Sequence, residues 1–252
     1  MLPASPVKYG GTLANMHKSS ESEQSGSTHY SYSSISDPPA TIGGVLLVGG
    51  ASGTGKTSLA KAIALERHIT WVQVDDLRLA LQWSNIRLPT REATDALYFL
   101  ERTPDVWSLP AQRLCDALIA VGEVMTEAIA IVVANHIART DPAVIEGDAI
   151  LPSLMDHPSL RGYVATGELK AVFVEAISKD ELLRSHINRG RGVTDKSDAE
   201  LRQMAEMNWL YSQWLKHQAQ RRSLSVIPSD PFGSLAERVS TIWHSPGDLP
   251  GV

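Results

Sequence analysis

Short apolar runs alternate with amphipathic segments along the chain from about residue 43 onward. Five runs have the length of a strand and are apolar almost throughout, which is typical of parallel strands covered on both faces. They lie at residues 45–48, 69–74, 143–145, 171–175 and 225–227. Helical spacing marks the segments between them, at residues 56–67, 77–82, 91–100, 111–138, 180–188 and 198–221. The pattern predicts an α/β fold of three layers, in which helices flank a mostly parallel five-stranded sheet.

Residues 1–40 have a different composition. They contain ten serines, few large apolar side chains and several prolines and glycines. Such a segment cannot bury enough apolar surface to offset the entropy that it would lose on ordering. We therefore predict a disordered serine-rich tail at residues 1–40 and a single domain at residues 41–252.

The apolar stretch 117–134 has an alternative interpretation as a membrane span. Glu123 and Glu127 lie near its middle, and each charge at the centre of a span costs roughly 3 kcal/mol on insertion scales. A helix of a soluble core, with both glutamates in a solvated or capping role, is the better interpretation. Cys115 is the only cysteine, so no internal disulfide can form, which is typical of a reducing compartment. The prediction is a cytoplasmic protein with no membrane partner.

The charge of the chain bears on its partners. It carries 28 acidic against 23 basic residues, a net charge of −5. Proteins that bind nucleic acid generally present a basic excess to the phosphate backbone. The acidic balance therefore argues against nucleic acid as a partner. The oligomeric state stays open, because the sequence gives no signal for it.

The segment Gly50-Ala-Ser-Gly-Thr-Gly-Lys-Thr57 matches the phosphate-binding pattern G-x-x-x-x-G-K-[ST], known as Walker A. A strand-like run precedes it and a helical pattern follows it, which is the context that this loop requires. Its glycines let backbone N–H groups face phosphates, and the helix that follows adds its positive dipole end. The sequence predicts a P-loop NTPase fold that binds ATP and Mg²⁺. The predicted nucleotide contacts are Gly50, Ala51, Ser52, Gly53, Thr54, Gly55, Lys56, Thr57 and Ser58.

Two side chains of this loop carry chemistry. The ammonium group of Lys56 is expected to reach the β- and γ-phosphates as a point charge, which makes Lys56 a predicted catalytic residue. The hydroxyl of Thr57 is expected to ligate Mg²⁺.

Asp75 and Asp76 directly follow the run 69–74. Ligands of parallel sheets bind outside the carboxyl ends of the strands, so this pair is expected to face the phosphate side. Asp75 is the predicted base that accepts or orients an attacking hydroxyl, with Asp76 beside it at the substrate. Arg78 falls on the same side of the next helical turn and is predicted to clamp an anionic group. The alternatives are a helix N-cap for the aspartate and a solvated surface charge for Arg78.

Further charged residues complete the predicted site. The apolar run at 143–145 is followed by Glu146 and Asp148, the predicted carboxylates of the Mg²⁺ site, with Glu146 favoured. Arg189 and Arg191 lie at a helix end that runs into a glycine-flanked loop. They are predicted catalytic residues that close over the triphosphate, and a solvated turn is the alternative.

These motifs together resemble one family. Gly49–Thr57 resembles the G-G-x-S-G-x-G-K-[ST] loop of the 2-phosphoglycerate kinase-like P-loop kinases. The segments 74–78 and 144–147, the latter followed by Leu151-Pro152, are similar to the D-x-[IL]-R and I-E-G-x-x-x-x-P segments of that family. The resemblance runs from about Gly43 to Val239. Asp148 and the partly aromatic segment 83–107 depart from it.

The resemblance implies roles for three side chains. It implies that Asp75 is the substrate-side base, that Arg78 is an anion clamp and that Glu146 is the carboxylate on the metal side.

The expected function is transfer of a phosphoryl group from ATP to a hydroxyl of a small, anionic metabolite. Two alternatives stay open. A nucleic-acid end kinase would fit the Asp-Asp-x-Arg pattern at 75–78. A nucleotide-binding switch or ATPase without a phosphorylated product would fit the Walker A loop alone.

Overall fold

The computed structural model describes residues 44–189 and 196–243. Five strands form one sheet: β1 (Val45–Gly50), β2 (Thr70–Gln73), β3 (Ala143–Gly147), β4 (Leu169–Glu175) and β5 (Ser225–Pro228). Every pairing is parallel, in the order β2-β3-β1-β4-β5, with β1 at the centre. The eight α-helices of this part of the chain are α1 (Lys56–Arg67), α2 (Val74–Trp83), α3 (Arg91–Arg102), α4 (Ala111–Ala138), α5 (Arg161–Thr166), α6 (Lys179–Arg189), α7 (Asp198–Gln220) and α8 (Leu235–Trp243).

Alternate side chains of the inner strands enter two separate cores. Val45 and Leu47 of β1 belong to the larger core, which includes residues of α4 and α7. Leu46 and Val48 belong to the smaller core, which α1 and α8 cover. Because successive strand residues point to opposite faces, this alternation means that helices cover the sheet on both sides. The predicted three-layer α/β fold with a five-stranded parallel sheet is confirmed.

The prediction of the run at 69–74 is wrong at its end. The strand stops at Gln73, and Val74 is the first residue of α2. Val74 is fully buried, and a Cβ on Gly147 would lie 2.6 Å from its Cβ. The apolar run therefore includes a buried first helical residue, because α2 packs directly against the last residue of β3.

Helix α4 is long and apolar enough, by length and composition, to cross a membrane, and 39% of its most apolar window is buried. Met125, Ile129 and Val133 are fully buried in the larger core. Glu123 and Glu127 lie on the exposed side of the helix, as predicted, and Glu127 pairs with His157 at 3.1 Å.

The segment 83–107, which departs from the family resemblance, contains α3, predicted at residues 91–100, and ends in a short 3₁₀ turn at Val106–Ser108. Thr90 caps α3 by accepting a hydrogen bond from the Ala93 amide at 3.1 Å. The buried Gln82 of α2 donates to the Leu97 carbonyl at 2.7 Å and joins α2 to α3. An open cavity of about 420 Å³ lies where α2 leads into α3, with three arginines among its lining residues: Arg87, Arg91 and Arg102.

The tail predicted at residues 1–40 lies outside the described residues, and so does Arg191. The tail and the division of the chain at residue 40 therefore stay predictions.

Candidate active site

The phosphate loop joins the end of β1 to the start of α1 at the carboxyl edge of the sheet. Gly50 has a φ of +147°, and a Cβ there would lie 2.7 Å from the carbonyl oxygen of Val174. Gly55 has a φ of +88°, in the left-handed region that side chains disfavour. These two positions therefore require glycine, one for a close approach to β4 and the other for the turn into α1.

Lys56 lies inside this loop rather than reaching out of it. Its side chain is buried, and Nζ donates to the carbonyl of Ala51 at 3.1 Å. The hydroxyl of Thr54 donates to the same carbonyl at 2.9 Å. The ammonium charge is thus held within the loop by the Ala51 carbonyl.

Glu146 lies beside the phosphate loop because β3 pairs with β1. It stands opposite Val48 of β1 and Gln73 of β2 in the sheet register. Its side chain is buried, and burial raises the pKa of its carboxyl, while Lys56 and a hydrogen bond with Thr57 act against the rise. A buried carboxylate that faces a hydroxyl at the loop is a suitable partner for a hard cation.

The acidic pair forms between residues far apart in sequence. A side-chain hydrogen bond joins Asp148 to Asp75, and burial together with the charge of Asp75 raises the pKa of Asp148. The backbone around Asp148 is fixed by the buried Tyr211, whose hydroxyl donates to the Asp148 carbonyl. Burial and the neighbouring Asp75 therefore disfavour the ionised form of Asp148, whose carboxyl bonds with that of Asp75.

Arg78 lies next to this pair. Its guanidinium is 3.2 Å from Asp75 Oδ1, and it also donates to Gln82 Oε1 at 3.3 Å. Asp76 points elsewhere: it is exposed and accepts a hydrogen bond from Gln73 at 3.4 Å. Gln73 is the N-cap residue of α2 and makes no side-chain cap bond, so Asp75 is not an N-cap. The structure places Asp75, and not Asp76, with the other charged residues.

The arginine-bearing helix α6 contacts the phosphate loop. Ser185 donates to the carbonyl of Gly53 at 2.9 Å, and the ring of His186 packs beside the same glycine. Arg189 is the last residue of α6 and is exposed, yet its charge and that of Lys56 both lower the pKa of His186, after burial. Arg189, a predicted catalytic residue, therefore lies on a helix that contacts the loop.

Two further residues that touch the loop had not been singled out from the sequence. Asn208 of α7 accepts a hydrogen bond from the Ser52 amide at 3.1 Å. The sequence did contain one signal for Asn208, which is a polar residue within the apolar stripe of a helix. Phe232 is 52% exposed, and a Cβ on Gly55 would lie 2.6 Å from its ring. Phe232 contacts a loop that lies more than 170 positions away in the sequence, so no local sequence pattern identifies this contact.

The oxygen ligands at this edge fit a magnesium ion bound together with phosphates. Among the described residues, no group of three or more His, Cys, Asp or Glu side chains is arranged to hold a metal by itself. Mg²⁺ commonly takes one or two protein ligands, several waters and substrate phosphates. Thr57 and Glu146 supply such a partial set, whereas Asp148 is engaged with Asp75.

No protein-family model matches the chain, and no curated protein matches it. Among solved structures it is similar to shikimate kinase from Bacteroides thetaiotaomicron, with 18% identity, a TM-score of 0.46, and 79% of this chain and 97% of that chain covered. It is similar to a gluconokinase from Sinorhizobium meliloti 1021, with 18% identity, a TM-score of 0.43, and coverage of 78% and 89%. A sugar kinase from Janibacter sp. HTCC2649 gives 17% identity, a TM-score of 0.42, and coverage of 83% and 99%. These likenesses are distant, so inference about function rests on the side chains of the site.

Proposed function

We propose that this protein is an ATP- and Mg²⁺-dependent kinase that phosphorylates a hydroxyl group of a small, anionic metabolite. The observation that carries the proposal is the placement of two groups of side chains side by side. Lys56, Thr57 and Glu146 lie at the ends of β1 and β3, and Asp75 with Arg78 lies just past the end of β2. The first group suits a triphosphate, and the second suits the acceptor of its terminal phosphoryl group.

The loop side would hold the nucleotide. Backbone N–H groups of the loop and the start of α1 would face the phosphates, and Lys56 would leave the Ala51 carbonyl for a β- or γ-phosphate oxygen. Thr57 and Glu146 would hold Mg²⁺, which when bound offsets charge on the β- and γ-phosphates. Phe232, half-exposed beside Gly55, offers a ring on which the base could stack.

The acceptor side would supply the base. Asp75 would accept the proton of the acceptor hydroxyl as its oxygen bonds to the γ-phosphorus, while the bond to the bridging oxygen of the β-phosphate breaks. The products are ADP and a phosphate monoester. Asp148 holds the Asp75 carboxyl by their hydrogen bond, and Arg78 places a positive charge next to it. A positive charge at that point favours an acceptor with an anionic group.

A screen for acceptor-dependent ADP release tests the proposal. Purified protein with Mg·ATP is incubated with hydroxy acids, sugar acids and phosphorylated metabolites, and ADP and the phosphorylated product are both quantified. We expect one class of anionic acceptor to stimulate ADP release and to gain the phosphoryl group. ADP release that no acceptor changes, with only inorganic phosphate as the second product, would instead indicate an ATPase and overturn the kinase proposal.

A further inference from the structure

Asn208 is a buried polar residue in the middle of α7, with 2% of its surface exposed. Its Oδ1 accepts the Ser52 amide at 3.1 Å, and its Nδ2 donates to the Met204 carbonyl at 2.9 Å. The second hydrogen of Nδ2 faces His186 Nε2 at 3.3 Å. A side-chain amide has one acceptor oxygen and two donor hydrogens, so these three partners fix its orientation and use all its groups.

His186 connects this residue to α6. Its Nε2 can accept from Asn208 only when the ring is neutral with its proton on Nδ1. Burial, and then the charges of Arg189 and Lys56, lower the pKa of His186, which favours the neutral ring. The neighbouring Ser185 makes the second attachment, to the Gly53 carbonyl at 2.9 Å. Helix α6 is therefore bonded to the phosphate loop directly through Ser185 and indirectly, by way of Asn208, through His186.

Ser52 is the other end of the network. Its amide donates to Asn208, from a helix 156 residues further along the chain, and so is not free to face a phosphate. Ser52 is partly buried, and a backbone N–H that loses its partner in such a place is disfavoured, so this bond favours loop conformations in which the Ser52 amide points toward α7. The next residue, Gly53, is the one that α6 contacts.

We propose that Asn208 is a positioning residue for the phosphate loop, which acts through Ser52 on the loop and through His186 on α6. It holds the loop in the shape that receives the triphosphate and sets α6, with Arg189 at its end, against that loop. The role rests on the proposed nucleotide binding for its purpose, but the contacts that define it can be tested without any acceptor.

The test uses the full chain, labelled with ¹⁵N, and measures hydrogen exchange of single amides and the Kd for Mg·ATP. Asn208→Ala removes both the hydrogen bond to the Ser52 amide and the hydrogen bond to His186. We expect it to speed exchange of the Ser52 amide and of α6 amides at least tenfold, and to raise the Kd about tenfold. The matched control is Ser212→Ala, since Ser212 lies one turn later on α7 and its hydroxyl accepts the Ala176 amide, away from the loop. This control should leave the Ser52 amide and the Kd as in the wild-type protein.

His186→Phe tests the link to His186 separately from the link to Ser52. It also replaces Asn208→Ala as the test if that variant does not fold. It keeps the bond between Asn208 and Ser52 and removes the bond between Asn208 and α6, while Ser185 still bonds Gly53. We expect faster exchange for the amides of Leu182 and Ser185 in α6, with Ser52 protected as in the wild-type protein. A Ser52 amide that stays protected in Asn208→Ala, or a Kd that rises as much in Ser212→Ala, would overturn the positioning role. Failure of the wild-type protein to bind Mg·ATP would overturn the proposed function instead, while the exchange data would still decide whether Asn208 holds Ser52.

Discussion

The phosphate loop and the acidic pair beside it lie at neighbouring strand ends but are held by different contacts. In the loop, Lys56 donates to the Ala51 carbonyl and is only 7% exposed, and Ser185 of α6 and Asn208 of α7 bond the loop backbone. Asp75 and Arg78 are more open, with 45% and 25% of their side chains exposed, and they pair within one helical turn. The proposed nucleotide side is therefore the more enclosed of the two, whereas the proposed acceptor side is more exposed. This difference suits a common donor and a specific acceptor, and it separates the effects expected of substitutions on the two sides.

The largest effect is expected from Lys56→Ala. Lys56 is the only basic residue of the loop, so its loss removes the positive charge that the triphosphate would meet. We expect turnover to fall by about 10³ or more, with much weaker Mg·ATP binding. The control is Lys61→Ala, because Lys61 lies on the exposed side of the same helix over the Trp71 ring, 4.4 Å from its centroid. Normal turnover in Lys56→Ala, measured as acceptor-dependent ADP release, would exclude phosphoryl transfer at this loop.

Asp75→Asn should affect the proposed acceptor side rather than the phosphate loop. If Asp75 takes the proton of the acceptor hydroxyl, turnover should fall by about 10²–10⁴. The Kd for Mg·ATP should stay within a few-fold, because the loop is unchanged. Asp76→Asn is the comparison variant, since Asp76 is exposed and points away from the charged group. Equal losses in the two variants, or full activity in Asp75→Asn, would remove the base role from Asp75.

The loop was predictable from the sequence and the acidic pair was not, for a physical reason. The Gly50–Thr57 pattern encodes local backbone geometry, and the strand and helix around it follow from patterns within a few residues. The bond between Asp75 and Asp148 instead depends on how α2 packs against β3, where Gly147 leaves room for Val74. Sequence patterns therefore located both aspartates at the carboxyl edge, but they did not indicate that the two side chains meet.

The contacts of Asn208 and Phe232 with the loop were even harder to predict from the sequence. Their contacts with the loop join residues more than 150 positions apart, and only the folded chain brings them together. The helices themselves were easier, because α1 and α4 begin and end where the apolar periodicity predicted. Regular elements follow from local periodicity, whereas the surroundings of the site follow from tertiary packing.

Glu146→Gln should give a smaller loss of activity together with a gain in stability. Burial raises the pKa of Glu146, so the contribution of this group to stability is fully present below its ordinary value of 4.5 and is lost as the pH rises through the raised value. At neutral pH the ionised carboxylate therefore costs stability without a bound cation, and the neutral amide removes that cost.

We expect a higher Tm for metal-free Glu146→Gln than for the wild-type protein at pH 7, with the difference disappearing near pH 4. Mg²⁺-dependent turnover should fall about 10–100-fold, as is usual for loss of a group that supports a metal. A control is Glu123→Gln, on the exposed side of α4, which should change neither quantity. A lower Tm in Glu146→Gln would show that the carboxylate stabilises the metal-free fold.

The smallest effect is expected at Phe232, the ring beside the loop. Stacking of a base on an aromatic side chain is worth about 1–3 kcal/mol, and the half-exposed position of Phe232 places it at the lower end of that range. Phe232→Ala should therefore raise the Kd for Mg·ATP about fivefold. Phe232→Tyr, which keeps the ring, should restore binding to within twofold. The Kd for Mg²⁺ with inorganic triphosphate, which has no base, separates a loss of stacking from damage to the loop. A lost stacking contact leaves the Kd for inorganic triphosphate unchanged. A Kd for the base-free triphosphate that rises equally would show that Phe232 supports Gly55 and does not contact the base.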